Sequence, residues 1–354
     1  MRVALLVPGP FDAVSGGYGY DRRIVEGLRR LGHEAQVVEL EGRHPLPDAA
    51  AEESARAALA AVPEGARIVV DGLGLPAFAP LAEALERRRA VALIHHPTAL
   101  ETGFPAADRE ALKARERALF PRMARLVATS RLTARRLAGE FGADPACVGV
   151  VEPGTEPAPR ARGSGGLGVA ILSVGALTPR KGHDVLLRAL AGLPDLDWSL
   201  TIAGGERDPV HAHGLRSLAE ELGIAQRMAF AGEVDEAGLA ALYDGADIFA
   251  LATHWEGYGM AVAEALARGL PVAVTAGGAV AELVPAEAGV VSPPGDVVSL
   301  GKALRRLVFD AEVRAEVAEA AWRAGQRLPR WEDRAAAFAA ELERADPTAE
   351  GRRS

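Results

Sequence analysis

Thr253-His254-Trp255-Glu256-Gly257-Tyr258-Gly259-Met260-Ala261-Val262-Ala263-Glu264-Ala265-Leu266-Ala267-Arg268-Gly269-Leu270-Pro271-Val272 is the stretch whose reading decides the fold. Just before it, residues 246–251 form a short apolar run suited to a buried parallel strand. After the glycines, Met260 to Ala267 reads as helix, with Gly269 as its stop and Leu270-Pro271 as entry to the next strand. The unit is therefore strand, loop, helix, strand, with an acid beside the loop glycines. Ligands of such units sit beyond the carboxyl ends of the strands. Gly257 and Gly259 let the backbone approach a ligand, and N–H groups at the helix start favour an anion.

Glu256 and Glu264 lie eight positions apart. On one continuous helix they would be separated by about 12 Å of rise and about 80° of direction. With Glu256 in the loop and Glu264 in the helix, both can face one site. A carboxylate accepts two hydroxyls at once, which suits a sugar or a ribose diol. Spacing alone fits two solvated acids flanking a turn equally well.

Working outward, the second half opens on an apolar strand at 169–174, followed by Thr178-Pro179-Arg180-Lys181-Gly182-His183 and a helix. Adjacent cations at a strand end and a helix start make an anion site. Lys181 stands out because Lys113 and Lys302 are the only other lysines. Strands are expected at 199–203 and 228–234, and Thr275-Ala276-Gly277-Gly278 turns into another helix. In the first half, a strand at 3–7 leads through Ser15-Gly16-Gly17-Tyr18-Gly19-Tyr20 into a helix ending at Gly32. These glycines suit phosphate contact or tight packing. Strands follow at 34–40, 67–71 and 90–94, with a helix over 75–86. His95-His96-Pro97 then stands at a strand end, where polar groups are site candidates by position.

The proline- and glycine-rich stretch 152–166 is the best domain boundary. At 354 residues, 49% of them apolar, the chain is long enough for two globular domains. A net charge of −8 argues against nucleic acid as partner. Cys147 is the single cysteine, so no internal disulfide is expected, and with no signal-like or spanning apolar run the reading is cytoplasmic. The arginine-rich stretch 107–140 reads as a solvated helical face or as a peripheral surface for anionic lipid or an acidic acceptor. Residues 346–354 form a polar tail expected to be disordered.

The order Glu-Gly-aromatic-Gly, helix, Glu resembles the donor-binding signature of the retaining nucleotide-sugar glycosyltransferases of family four, which have the GT-B architecture. Arg180-Lys181 and Ser15-Gly16-Gly17 match further motifs, so the resemblance covers nearly the whole chain. It implies an α/β fold of two facing Rossmann-like, doubly wound domains with a cleft between them. Residues 1–155 would bind the acceptor, joined by a C-terminal helix at 331–345 that crosses back, with Trp331 and Phe338 packing there. Residues 166–328 would bind the nucleotide sugar. By the same resemblance Glu264 holds the ribose hydroxyls. Arg180 and Lys181, with amides near Gly16 and Gly17, hold the diphosphate, and Val234 contacts the base. Glu256, His95 and the segment Gly257, Tyr258, Gly259 and Met260 hold the sugar, with His96 as the alternative histidine.

Arg180 and Lys181 would neutralise the leaving diphosphate, so neither a catalytic metal nor a cofactor is expected. The implied reaction is sugar transfer with retention, the leaving phosphate taking the proton of a small-molecule, glycan or lipid-linked acceptor. The alternative class is a non-catalytic nucleotide-sugar binder or a coupling enzyme, and a third is a nucleotide-sugar epimerase.

Overall fold

The computed structural model describes residues 1–101 and 103–345, and the expected polar tail at 346–354 lies outside them. The chain forms two compact units, Met1–Gly154 together with the chain from Pro329 on, and Thr155–Leu328.

In the first unit, β1 (Arg2–Pro8), α1 (Gly16–Arg30), β2 (Glu34–Leu40), α2 (Ala49–Ala61), β3 (Arg67–Asp71), α3 (Ala82–Arg87), β4 (Val91–Ile94), α4 (Ala106–Leu119), β5 (Arg125–Ala128), α5 (Arg131–Phe141) and β6 (Val148–Val150) alternate. The strands pair in the order β2-β1-β3-β4-β5-β6, all parallel. They read as apolar runs because helices cover both faces of the sheet. Ala4, Leu6, Ile68, Val70, Ala92 and Ile94 enter one core cluster, while Val3, Leu5, Val69, Val91 and Leu93 are buried between them along the same strands.

The helix expected over 75–86 is broken. Leu75–Leu81 is a 3-10 segment and α3 starts only at Ala82, since Pro80 has no N–H to give an α-helical bond.

The C-terminal helix Trp331–Arg344 packs in this unit. Trp331 meets Tyr20 edge-on at 5.7 Å, Phe338 is buried, and Arg125 holds the Glu341 carboxylate at 2.5 Å. It crosses α1 so closely that a Cβ placed on Gly27 would stand 2.4 Å from the Ala335 Cβ. Gly27→Val should therefore destabilise the protein by about 1–3 kcal/mol, the cost of overpacking. An unchanged thermal midpoint would contradict this contact.

In the second unit, β7 (Val169–Val174), α6 (His183–Ala191), β8 (Trp198–Ala203), α7 (Pro209–Glu221), β9 (Met228–Gly232), α8 (Glu236–Asp244), β10 (Ile248–Leu251), α9 (Met260–Ala267), β11 (Val272–Thr275), α10 (Val280–Leu283), β12 (Gly289–Ser292), α11 (Val297–Phe309) and α12 (Ala311–Gly325) alternate again. The order β12-β11-β10-β7-β8-β9 is parallel throughout and reverses direction of growth between β7 and β10. That reversal is the topological switch point, where the loops beyond the strands part and leave room for a ligand. Ile171, Ile248, Ala250 and Ala273 feed one core cluster, and Leu172, Phe249, Leu251 and Val272 the other.

The proline- and glycine-rich stretch does not hang free as a linker. Ala161 donates to the Arg268 carbonyl at 2.9 Å, and Arg162 binds the Asp244 carboxylate, so this segment runs along the second unit. Among the described residues no helix is long and apolar enough to cross a membrane.

Candidate active site

The loops after β7 and β10 meet at the switch point of the second unit. After β7, Pro179–Lys181 makes one 3-10 turn that ends at Gly182, whose φ is +63°. A Cβ there would lie 2.1 Å from the Ala252 carbonyl, so only glycine fits between the two loops. The Arg180 carbonyl accepts from the His254 N–H at 2.8 Å, and the Arg180 guanidinium donates to the Trp255 carbonyl at 2.7 Å. The loop that follows β11 supports Glu256 from below, with the Glu256 N–H donating to the Gly277 carbonyl at 3.2 Å and the Ala279 N–H to the Glu256 carbonyl at 3.0 Å.

Three donors converge on one oxygen of Glu256. Lys181 Nζ lies 2.6 Å from Oε1, Thr253 Oγ1 3.1 Å and the Arg180 guanidinium 3.3 Å. The carboxylate is only 11% exposed, and Lys181 and Arg180 are 14% and 24% exposed. Burial pushes the Glu256 pKa up, but the charges of Lys181 and Arg180 and the bonds from Lys181 and Thr253 outweigh it and hold the group at about 2. Glu256 is thus a permanent anion between two cations.

Helices α6 and α9 both begin beside this cluster, at Gly182 and Gly259, and neither start carries a side-chain cap. Their neighbours α7, α8, α11 and α12 are each capped by an aspartate, Asp208, Asp235, Asp296 and Asp310. The two uncapped starts aim N–H groups and the positive end of the helix dipole beside the two cations, which is the electrostatics of a phosphate site. Glu256 lies in the loop and Glu264 on α9, where Tyr243 donates to its Oε2 at 3.0 Å. Gly257, Tyr258, Gly259 and Met260 run between the two acids. Val234 is half-buried just past β9, at the edge of the sheet two strands from β7.

The remaining sequence candidates fall in the first unit. Ser15 caps α1 by accepting from the Tyr18 N–H, so Gly16 and Gly17 open that helix. A Cβ on Gly17 would stand 3.4 Å from the His95 ring, which places these two candidates side by side. His96 turns away to Glu101 at 3.0 Å, and His95 is the one turned toward α1.

Sequence reasoning missed what His95 touches. Its Nε2 lies 3.0 Å from Asp21 Oδ1 and 3.5 Å from Asp71 Oδ2, and both aspartates are buried. Burial alone would lower the His95 pKa. The charge and hydrogen bond of Asp21, with the charge of Asp71, overcome it and raise the ring above its ordinary value. Burial, then the charge of Asp21, raise Asp71 to about 7 against the pull of His95. The signal was the position of Asp71 as the last residue of β3. Glu116, also buried, accepts from the Thr98 N–H, the Thr98 hydroxyl and the Ala99 N–H and so pins the turn that follows His95-His96-Pro97.

Asp21, Asp71 and His95 are the one group among the described residues whose ligand atoms cluster closely enough to hold a metal. Asp195-Leu196-Asp197 forms an Asp-x-Asp triplet, but it precedes β8 at the amino end of the sheet, away from the site, with Asp195 bound to Arg305 at 2.7 Å. The arginines of 107–140 are largely engaged within the first unit, Arg115 with Glu52, Arg122 with Glu86 and Arg136 with Glu140.

Two parallel six-stranded sheets with flanking helices match the GT-B fold of solved glycosyltransferases. Sucrose-phosphate synthase from Thermosynechococcus elongatus superposes with a TM-score of 0.81 over 96% of this chain and 98% of its own, at 20% identity. HepE of Anabaena, solved in complex with UDP-glucose, gives a TM-score of 0.77 over 96% of this chain and 99% of its own, at 16% identity. Residues 164–323, nearly all of the second unit, match the model of the family Glycosyl transferases group 1. The D-inositol 3-phosphate glycosyltransferase of Mycobacterium sp. (strain KMS) is 35% identical over 166 residues, 44% of this chain. That match spans 37% of the relative's length.

Proposed function

We propose that the protein is a retaining, metal-independent glycosyltransferase of family four that moves a sugar from a nucleoside-diphosphate sugar to a hydroxyl-bearing acceptor. The observation that carries this reading is that Arg180 and Lys181, directly before the uncapped start of α6, are bonded to Glu256, three residues before the uncapped start of α9. A diphosphate placed there gains two cations and several N–H donors, the stabilisation a leaving diphosphate needs as its charge develops. The same cations supply what a metal would otherwise supply. Glu264 takes the ribose hydroxyls. Glu256 orients the sugar, and as a carboxylate held at about 2 it is a weak base and a weak nucleophile. Gly257 through Met260 line the sugar and Val234 the base.

In the step itself the bond between the anomeric carbon and the β-phosphate oxygen breaks, the acceptor oxygen bonds to that carbon on the same face, and its proton passes to the departing phosphate. The UDP-glucose bound to the Anabaena protein supports a nucleotide-sugar donor. The reading as a non-catalytic nucleotide-sugar binder or coupling enzyme is not favoured.

Incubation with UDP-, GDP- and ADP-sugars tests this, with acceptors beginning at D-inositol 3-phosphate, the acceptor in the relative's name. The expected product keeps the donor's anomeric configuration by NMR, and EDTA does not lower its yield. Inverted product, or activity that vanishes with EDTA, would overturn the corresponding part. Glu264→Ala should weaken nucleotide binding by about tenfold or more, the loss of hydrogen bonds to a charged group. An unchanged dissociation constant would remove Glu264 from the site.

A further inference from the structure

Glu264 stands on α9, but the group that fixes its carboxylate comes from α8. Tyr243 is fully buried, and its hydroxyl lies 3.0 Å from Glu264 Oε2 and 3.0 Å from the Ala261 carbonyl. One hydroxyl proton cannot serve both acceptors fully, and the charged carboxylate is the stronger of the two. Burial, followed by the charge of Glu264, raises the phenol pKa well above its ordinary value, so the hydroxyl keeps its proton and remains a donor.

The Tyr243 ring is itself held. Phe249 of β10 stacks on it at 6.1 Å with planes 19° apart, and the Arg268 guanidinium lies over the ring at 4.6 Å. Arg268 also donates to the Glu264 carbonyl at 3.1 Å, closing a small frame around the glutamate. The glutamate is only half-buried. A carboxylate has about four lone-pair sites, so bonds from within the protein and one from a ligand hydroxyl can coexist on it.

We propose that Tyr243 is a positioning residue, holding the Glu264 carboxylate in the orientation that accepts the ribose diol of a nucleotide. The inference rests on the reading of Glu264 given under the proposed function. A long side chain ordered before the ligand arrives loses less rotamer freedom on binding, and that gain is lost when the hydroxyl is removed. The effect should be specific to the diol, because Tyr243 is fully buried and its hydroxyl reaches Glu264 and the Ala261 carbonyl.

The test compares dissociation constants of UDP, GDP and ADP with those of their 2′,3′-dideoxy counterparts. Wild type is expected to prefer one ribose form over its dideoxy counterpart by about tenfold or more, and Tyr243→Phe to shrink that preference to about threefold or less. The phenylalanine keeps the ring volume and the Phe249 stacking, so circular dichroism should stay near wild type, while the lost hydrogen bond lowers the thermal midpoint modestly and the ratio of the two nucleotide forms is the deciding readout. In a Glu264→Ala background the preference is already gone, and Tyr243→Phe should add nothing. A purely structural tyrosine would alter stability or affinity for both nucleotide forms alike and leave their ratio untouched. Full preference retained in Tyr243→Phe would overturn this inference alone. No preference in wild type, or no binding of any nucleotide, would instead overturn the reading of Glu264, and the inference with it.

Discussion

Lys181→Ala is expected to lower the rate of sugar transfer by about 100-fold or more while changing nucleotide affinity far less. The reason is the place of this cation. Its ammonium is 2.6 Å from Glu256 Oε1, and the residue directly precedes Gly182, the start of α6, where the proposed function puts the diphosphate. Charge on the leaving oxygen grows as the glycosidic bond breaks, so a cation beside it acts more strongly on the transition state than on the bound donor. Removing one such donor typically costs about 100- to 1,000-fold in rate.

The variant also leaves Glu256 with its nearest counter-ion gone and only Arg180 at 3.3 Å and Thr253 at 3.1 Å. A loss of stability of about 1–3 kcal/mol is therefore expected at neutral pH. The sign of its pH dependence follows from the depressed pKa. Glu256 contributes stability above its unfolded value, about 4.3, and loses it as pH falls toward about 2. The gap between wild type and Lys181→Ala should close over that acid range. Steady-state rates, donor dissociation constants and denaturation at several pH values check all three points. Equal rates in both proteins would remove Lys181 from the chemistry.

His95→Ala should have the largest effect on stability. It removes the only ring between Asp21 and Asp71 and leaves two buried carboxyl groups facing each other. Removing one partner of a buried ionic cluster costs about 3–5 kcal/mol. Here the loss should depend on pH. His95 is raised above its ordinary value, so its contribution is fully present below about 6.5 and is lost as pH rises through the folded value. Asp71, raised from about 3.9 to about 7, has the same sign, with stability falling as pH rises between those limits. The variant lacks that low-pH contribution, so thermal denaturation should show a larger deficit at pH 5 than at pH 8. The same deficit at both would mean that the ring acts by packing alone.

Much of this site was legible in the chain, for specific reasons. Strands such as Ile248–Leu251 and Val272–Thr275 are buried along their whole length, so they read as apolar runs, and the glycines around Glu256 mark the loop between them. Arg180, Lys181, Glu256 and Glu264 stood out by type and local spacing. That Lys181 would bond to Glu256, across 75 residues of sequence, was not legible, because it depends on β7 lying beside β10. The same holds for Asp21 and His95, 74 positions apart, which meet through the order of β1, β3 and β4. Tyr243 carries no signal in the sequence, because its ring is core and its hydroxyl tip meets Glu264 only once α8 packs against α9.

The central claim is that the second unit grips a nucleoside diphosphate with Arg180, Lys181 and Glu264 and needs no metal to do so. Calorimetric titration of UDP, GDP, ADP and TDP in the presence of EDTA tests it most directly. The account predicts that at least one of the four binds wild type, and that Glu264→Ala weakens it about tenfold or more. Absence of binding by all four, or binding only when a divalent cation is restored, would contradict it.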